Sequence, residues 1–405
     1  MTTTTPSSGF AVRRYLSVFI GFFAAVLSGI LALNLALGER ALGSLDVLQK
    51  ASAWQQTTRG VTYAPPMTNS RPFKALRLAD RAAEIDTLVL GASSLMGVTD
   101  AMFPQGRRPY NFTLTANSTA AVIGEAEFVE KQFHHIKSFL IGLDWAIGVI
   151  YQPGDAGTLD LAPAQQLEGY GAAAVPFASK IKDALSAPKI AVLGKALSGV
   201  FRSNAPWADF RQTFFEGSSA EYRCPDGMPA RDFDVIGRGT CLGFRYDGSW
   251  TFASEEHLSE ARARVKAQAM AAPSSQFVRF LCSTQGEPNS RHLQRLGEFA
   301  HRMRAAGGHV VFVLPPLLPG LEAEMFKVPA VGRCLARTKT ALTAWAKEYS
   351  VTVIDAAASE HFGCVAGEFL DENHAWPECH ARVLSRYWRD REAGVVASGL
   401  YRPRL

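Results

Sequence analysis

From Tyr15 to Gly38 the sequence YLSVFIGFFAAVLSGILALNLALG carries no charged side chain. At about 1.5 Å per helical residue such a run crosses a hydrocarbon layer of roughly 30 Å, which makes 15–38 a transmembrane anchor. Arg13 and Arg14 precede the run, while Glu39 and Arg40 nearly cancel after it. The positive-inside bias therefore keeps residues 1–14 in the cytoplasm and sends the remainder across. A cleaved export signal is the competing reading, with small residues around Ala32 to Ala36, but the run is longer than the usual signal core of about 7–15 residues. A buried core helix would show a polar face, and this stretch has none. With no second run of this length, a multi-pass transporter or channel is disfavoured.

The rest of the 405 residues has an ordinary soluble composition, with 47% hydrophobic and 20% charged residues. Lys plus Arg number 42 against 37 Asp plus Glu, and the resulting +5 is too thin for a phosphate-binding surface, so nucleic acid is not an expected partner. All six cysteines, Cys224, Cys241, Cys282, Cys334, Cys364 and Cys379, lie beyond the anchor, as disulfides in an oxidising compartment require. Local closure favours Cys224 with Cys241 and Cys364 with Cys379, leaving Cys282 with Cys334; six buried thiols are the alternative. The short ligand pairs of a structural zinc site are missing, and no metal is expected.

Residues 39–84 mix helical and Pro/Ser/Thr-rich pieces and read as a stalk, with a compact domain over 85–395 and a tail at 396–405. Four buried-strand signals mark that domain: TLVLG from Thr87, KSFLIGLDW from Lys137, GGHVVFVLPP from Gly307 and VTVIDAA from Val351. Helical patterns separate them, so the expected fold class is α/β, a parallel sheet covered by helices. The stretch from about 152 to 248 breaks the rhythm and reads as an inserted cap. Its aromatics Phe244, Tyr246 and nearby Trp250 fit a small core under the cap better than a sugar-stacking platform. Neither GxxxxGK[ST] nor a strand-linked GxGxxG occurs, so no nucleotide cofactor is implied.

Two motifs carry chemistry. In TLVLGASSLMG the first core strand runs into Ser93 and Ser94, at the carboxyl edge of a parallel sheet where free backbone N–H groups can stabilise an oxyanion. Capping the next helix is the plain alternative for such serines. In FLDENHAWPECHARVLSRYW, Asp371 and His374 are spaced so that the carboxylate can orient the imidazole that faces a serine hydroxyl. His380 is the other imidazole there, read as a partly exposed helix residue.

With these residues in place the chain resembles the SGNH/GDSL hydrolase superfamily, especially its membrane-anchored, exported branch related to alginate O-acetylation and teichoic acid D-alanylation proteins. The resemblance covers about 85–395. It implies a three-layer α/β/α fold, Ser93 of Gly91-Ala92-Ser93 as nucleophile, and Asp371 with His374 as orienter and base; Ala92 stands where the GDS form has aspartate. The family's oxyanion asparagine has two candidates, Asn111 and Asn117. Asn111 could instead pin the loop behind the nucleophile, and Asn117 could cap the helix starting at Ser118. Asp144 can line the pocket or hold a structural hydrogen bond. The resemblance implies a bacterial inner-membrane protein with a periplasmic serine O-acetyltransferase domain that needs no cofactor. Its partners would be a polysaccharide acceptor, an acyl donor and membrane acyltransferase or export proteins. An esterase of the same fold and a non-catalytic glycan-binding scaffold are the alternatives.

Overall fold

The computed structural model describes residues 8–40, 52–53, 55–63, 67–115, 117–144, 185, 187–202, 204, 206–207, 243–251 and 258–403. They fall into two compact units. One holds the helix Ser8–Arg40 and the helix Ala187–Arg202. The first runs unbroken through the uncharged stretch, and its Val12–Leu33 portion is long and apolar enough to cross a membrane. A helix suits that role because all its backbone polar groups are satisfied within the segment. Leu193, Leu197 and Val200 of the second helix pack against Ile30 and Leu33 of the first.

The other unit contains two sheets. In chain order the strands are β1 (Thr62–Tyr63), β2 (Thr87–Leu90), β3 (Pro109–Asn111), β4 (Ser138–Gly142), β5 (Gly243–Phe244), β6 (Trp250–Thr251), β7 (His309–Leu314), β8 (Thr352–Asp355) and β9 (Gly399–Tyr401). Six of them form one sheet in the order β3-β2-β4-β7-β8-β9, and every pair is parallel. β2 is buried at all of its residues and β7 at all but the first, the continuous apolar pattern of strands covered on both faces. The covering comes from the helices Thr119–Gln132, Ser290–Ala305, Pro329–Glu348 and Pro377–Glu392. β1, β5 and β6 make a small antiparallel sheet beside them.

The chain leaves β2 toward β3 on one side and returns to β4 on the other. The carboxyl ends of β2 and β4 thus flank a switch point, where crevices form in open α/β sheets.

All four strands expected from sequence are present, and the α/β class holds. Two boundaries differ. The sheet takes its sixth strand, β9, from within the stretch read as a tail; three residues, GLY, are too few to show a strand period. The described residues within 52–84 belong to this compact unit rather than to a stalk. Gln55 Nε2 donates to Phe244 O at 2.9 Å, and buried Lys74 donates to Asn111 O at 2.9 Å and Thr113 O at 2.6 Å. The helix Met67–Arg81 looks polar because what it buries includes Lys74 and Arg77, the latter donating to Ser52 O at 3.1 Å.

Disulfides join Cys282 to Cys334 and Cys364 to Cys379, as expected. Cys224 and Cys241 lie outside the described residues, as does most of the insertion at 152–248. Phe244 and Tyr246 are buried: Phe244 stacks on Phe73 with ring centroids 5.9 Å apart, and Tyr246 lies beneath the Arg81 guanidinium at 3.8 Å. They form a small core, not a platform.

Candidate active site

β2 ends at Leu90, and Gly91 turns the chain with φ +150, a conformation that favours glycine. A side chain here would also meet β4, since a Cβ would stand 3.3 Å from Gly142 Cα. Ala92 stays extended and leads into a single tight turn, Ser93–Leu95, closed by Leu95 N donating to Ala92 O at 3.2 Å and Met96 N to Ser93 O at 3.1 Å. Ser93 is thereby lifted half-exposed at the carboxyl end of β2. Ser94 turns inward and donates to Asp144 Oδ2 at 2.9 Å across the switch point. Asp144 thus takes the structural hydrogen bond, and Ser94 is its donor rather than a helix cap.

Asn111 holds the turn from behind. Its Nδ2 donates to Leu95 O at 2.9 Å and Val98 O at 2.8 Å, while its Oδ1 accepts from Thr113 N at 3.0 Å and Thr113 Oγ1 at 2.6 Å. Asn117 is equally committed. Its Nδ2 donates to Gly91 O at 3.2 Å and Glu125 Oε2 at 2.9 Å, and its Oδ1 accepts from Arg71 at 2.8 Å. It caps no helix; Ser118 does, accepting from Ala121 N at 3.2 Å. Each amide carries two N–H groups and both are used, so neither asparagine has a donor left for an oxyanion.

The second half of the site comes from the loop before the helix Pro377–Glu392. A bridge between Phe369 and Ala375, the bond from Leu370 N to His374 O at 2.9 Å, and the Cys364–Cys379 disulfide fold this loop back on itself. Within it Asp371 Oδ1 accepts from Asn373 N at 3.0 Å and His374 N at 2.9 Å, an aspartate closing its own turn. The same carboxylate meets His374 Nδ1, at 2.7 Å through Oδ2, and His374 Nε2 lies 2.8 Å from Ser93 Oγ. An ionised carboxylate only accepts, so Nδ1 carries the proton and Nε2 is left to accept from the Ser93 hydroxyl.

The electrostatics agree with that assignment. Burial favours a neutral Asp371, but the His374 hydrogen bond and charge and the two backbone N–H groups outweigh it and hold the carboxyl below its ordinary value. For His374 burial disfavours the imidazolium, yet the Asp371 hydrogen bond and charge, helped by Asp144 and Glu372, raise its affinity for a proton. His380 is not the partly exposed residue its position suggested. It is 2% exposed and burial pushes its pKa down to about 4, so it stays neutral beneath the turn. Gly97 makes room for it, since a Cβ there would lie 3.0 Å from His380 Cδ2 and 3.1 Å from Ala375 O.

Sequence reading missed the buried polar cluster behind Gly91. Glu125 is fully buried in the helix Thr119–Gln132, and burial pushes its carboxyl up to about 7 against the opposing pull of Arg71, Asn117 and Lys74. One signal for it was present, a glutamate interrupting the apolar run AAVIGEA. Cys364, Glu368 and Cys379 stand close enough for a metal among the described residues, but both sulfurs are spent in the disulfide and cannot act as thiolates.

No family model, curated protein or solved structure matches the chain. Its functional reading rests on the chemistry of these side chains.

Proposed function

We propose that the protein is a membrane-anchored, exported serine acyltransferase that moves an acetyl group onto a hydroxyl of a cell-envelope or secreted polysaccharide. The observation that carries this reading is the hydrogen-bonded chain from Ser93 Oγ through both ring nitrogens of His374 to Asp371, with distances of 2.8 and 2.7 Å. The resemblance of its two motifs to the SGNH/GDSL superfamily supports the same chemistry.

In the first half-reaction His374 Nε2 takes the Ser93 proton as Oγ attacks the carbonyl carbon of the acyl donor. Both asparagine amides are occupied, so backbone N–H groups of the turn at Ser93 meet the developing oxyanion. The tetrahedral intermediate collapses, the imidazolium protonates the departing oxygen, and an acyl-Ser93 ester remains. In the second half His374 removes a proton from the incoming hydroxyl, whose oxygen attacks the ester carbon. Collapse of this second intermediate returns the proton to Ser93 Oγ and releases the acylated sugar. Asp371 stays ionised throughout and stabilises the imidazolium. Where water replaces the sugar hydroxyl, the same steps release acetate.

The test is an assay of full-length protein in detergent with an activated acetyl ester and candidate oligosaccharides. Acetylated sugar in the wild type, lost by about 10⁴-fold or more in Ser93→Ala, is the expected result. Acetate release without sugar acetylation makes the protein an esterase. Unchanged turnover in Ser93→Ala removes Ser93 as nucleophile.

A further inference from the structure

Behind Gly91 polar side chains stand where apolar ones would cost less. Glu125 in the helix Thr119–Gln132 is fully buried, and Asn117 is 3% exposed. Burying ionisable groups is unfavourable unless each is well paired, and packed hydrophobic residues of similar volume often serve stability as well. Local rules broken in this way cluster at functional sites. What these side chains reach is therefore informative.

The contacts converge on Asn117. Arg71 Nη2 donates to its Oδ1 at 2.8 Å and stands 3.4 Å from Glu125 Oε1, while its Nδ2 donates to Glu125 Oε2 at 2.9 Å and to Gly91 O at 3.2 Å. A guanidinium only donates, and a carboxyl oxygen facing an amide N–H accepts. Turning the amide over would set Oδ1 against two oxygens and its N–H groups against the guanidinium, so Arg71 and Glu125 fix which way it points. Gly91 O receives a second donor, Leu114 N at 3.1 Å. Because a peptide unit is planar, holding the Gly91 carbonyl also holds the Ala92 N–H, and with it the direction in which the chain enters the turn Ser93–Leu95. Glycine makes such control necessary. It has the widest choice of backbone angles, and this one stands at φ +150 just before the turn.

We propose that Arg71 and Glu125 are positioning residues that act on Ser93 through Asn117 and the Gly91 carbonyl, aiming Ser93 Oγ at His374 Nε2. Each acts through the backbone rather than on a reacting atom. The proposal rests on the reading of Ser93 as nucleophile. It gives the helix Met67–Arg81, which carries Arg71, a part in setting the rate.

The test is the rate at which a fluorophosphonate probe labels Ser93 in full-length protein in detergent, a reaction in which Oγ displaces fluoride from phosphorus and neither acyl donor nor acceptor need be known. Thermal melts in the same detergent establish that each variant is folded at the assay temperature. Misplacing a reacting group by about 1 Å can cost roughly 10²-fold, and Asn117→Leu should lose on that order. Arg71, with its side chain 20% exposed, gives a milder variant that carries the test if Asn117→Leu does not fold. Arg71→Met should label about 10-fold more slowly than wild type. Glu125→Leu should also slow labelling, and Glu125→Gln, which keeps an oxygen for Asn117, should recover most of the loss; a merely structural role would lower the melting temperature and leave the rate of the folded protein alone. Wild-type rates in the folded variants, or equal rates in Glu125→Leu and Glu125→Gln, overturn the positioning and leave Ser93 as nucleophile. Absence of wild-type labelling at Ser93, or equal labelling of Ser93→Ala, overturns the nucleophile reading and the proposal with it.

Discussion

His374 Nε2 lies 2.8 Å from Ser93 Oγ although 281 positions of sequence separate the two residues. Their meeting depends on β2 delivering one and a self-closed loop delivering the other. Each of those supports can be perturbed alone.

In the proposed mechanism the imidazole must be neutral to accept the Ser93 proton, and its surroundings raise its pKa above the ordinary 6.5. Activity should therefore rise with pH and level off above an inflection higher than 6.5. Asp371 is the main cause that raises it, so Asp371→Asn should move that inflection down and lower kcat on the order of 10⁴-fold through the wrong tautomer. A pH profile of kcat/KM for both proteins checks this, and an inflection that stays put removes Asp371 as the orienting group.

Asn111→Ala leaves Leu95 O and Val98 O without their donor behind the turn. Unmet buried groups cost about 1–3 kcal/mol each, so the variant should lose about 2–4 kcal/mol of stability and much of its activity. Denaturant melts of wild type and variant in detergent measure the first, and single-turnover acylation the second.

Cys364 and Cys379, at a sequence separation of 15, enclose the Asp371–His374 pair. Replacing both by serine should cost about 3 kcal/mol in the chain-entropy picture and also slow acylation. The Cys282–Cys334 pair ties the end of the helix Gln276–Cys282 to the helix Pro329–Glu348, neither of which carries Asp371 or His374. Its removal should lower Tm while leaving the acylation rate proposed for the folded protein nearly unchanged. Equal rate losses in the two variants would contradict this division.

Folding raises the Glu125 carboxyl from its ordinary 4.5 to about 7. The folded chain thus binds that proton more tightly than the unfolded one, and the associated stability is complete below about pH 4.5 and lost as pH rises toward 7. Glu125→Gln keeps an oxygen for Asn117 and should gain on the wild type between pH 5 and pH 8, by on the order of 2–3 kcal/mol at most. Melts at the two pH values measure the difference, and a gap that shrinks with pH reverses the assignment.

The central strands and the pairing of Ser93 with His374 were legible because apolar runs and motif spacing are local signals. TLVL and HVVFVL are hydrophobic at nearly every position because both faces of the sheet are covered. Asn111 and Asn117 could be named but not assigned, since their roles depend on which carbonyls a tertiary fold brings within reach. The helix Met67–Arg81 was read as stalk because burial of Lys74 and Arg77 is offset by hydrogen bonds from distant segments, which no local pattern encodes. β9 was missed for want of length.

Under the proposed acyl-transfer chemistry the Cys364–Cys379 link would also act as a compartment gate. Thiols stay reduced in the cytosol, and a chain held there would lack the covalent tie around its acid–base loop. Ser93 would be in place and His374 poorly held. Under the proposed acyl transfer, activity would thereby be coupled to arrival in an oxidising space by a redox condition rather than by an inhibitor.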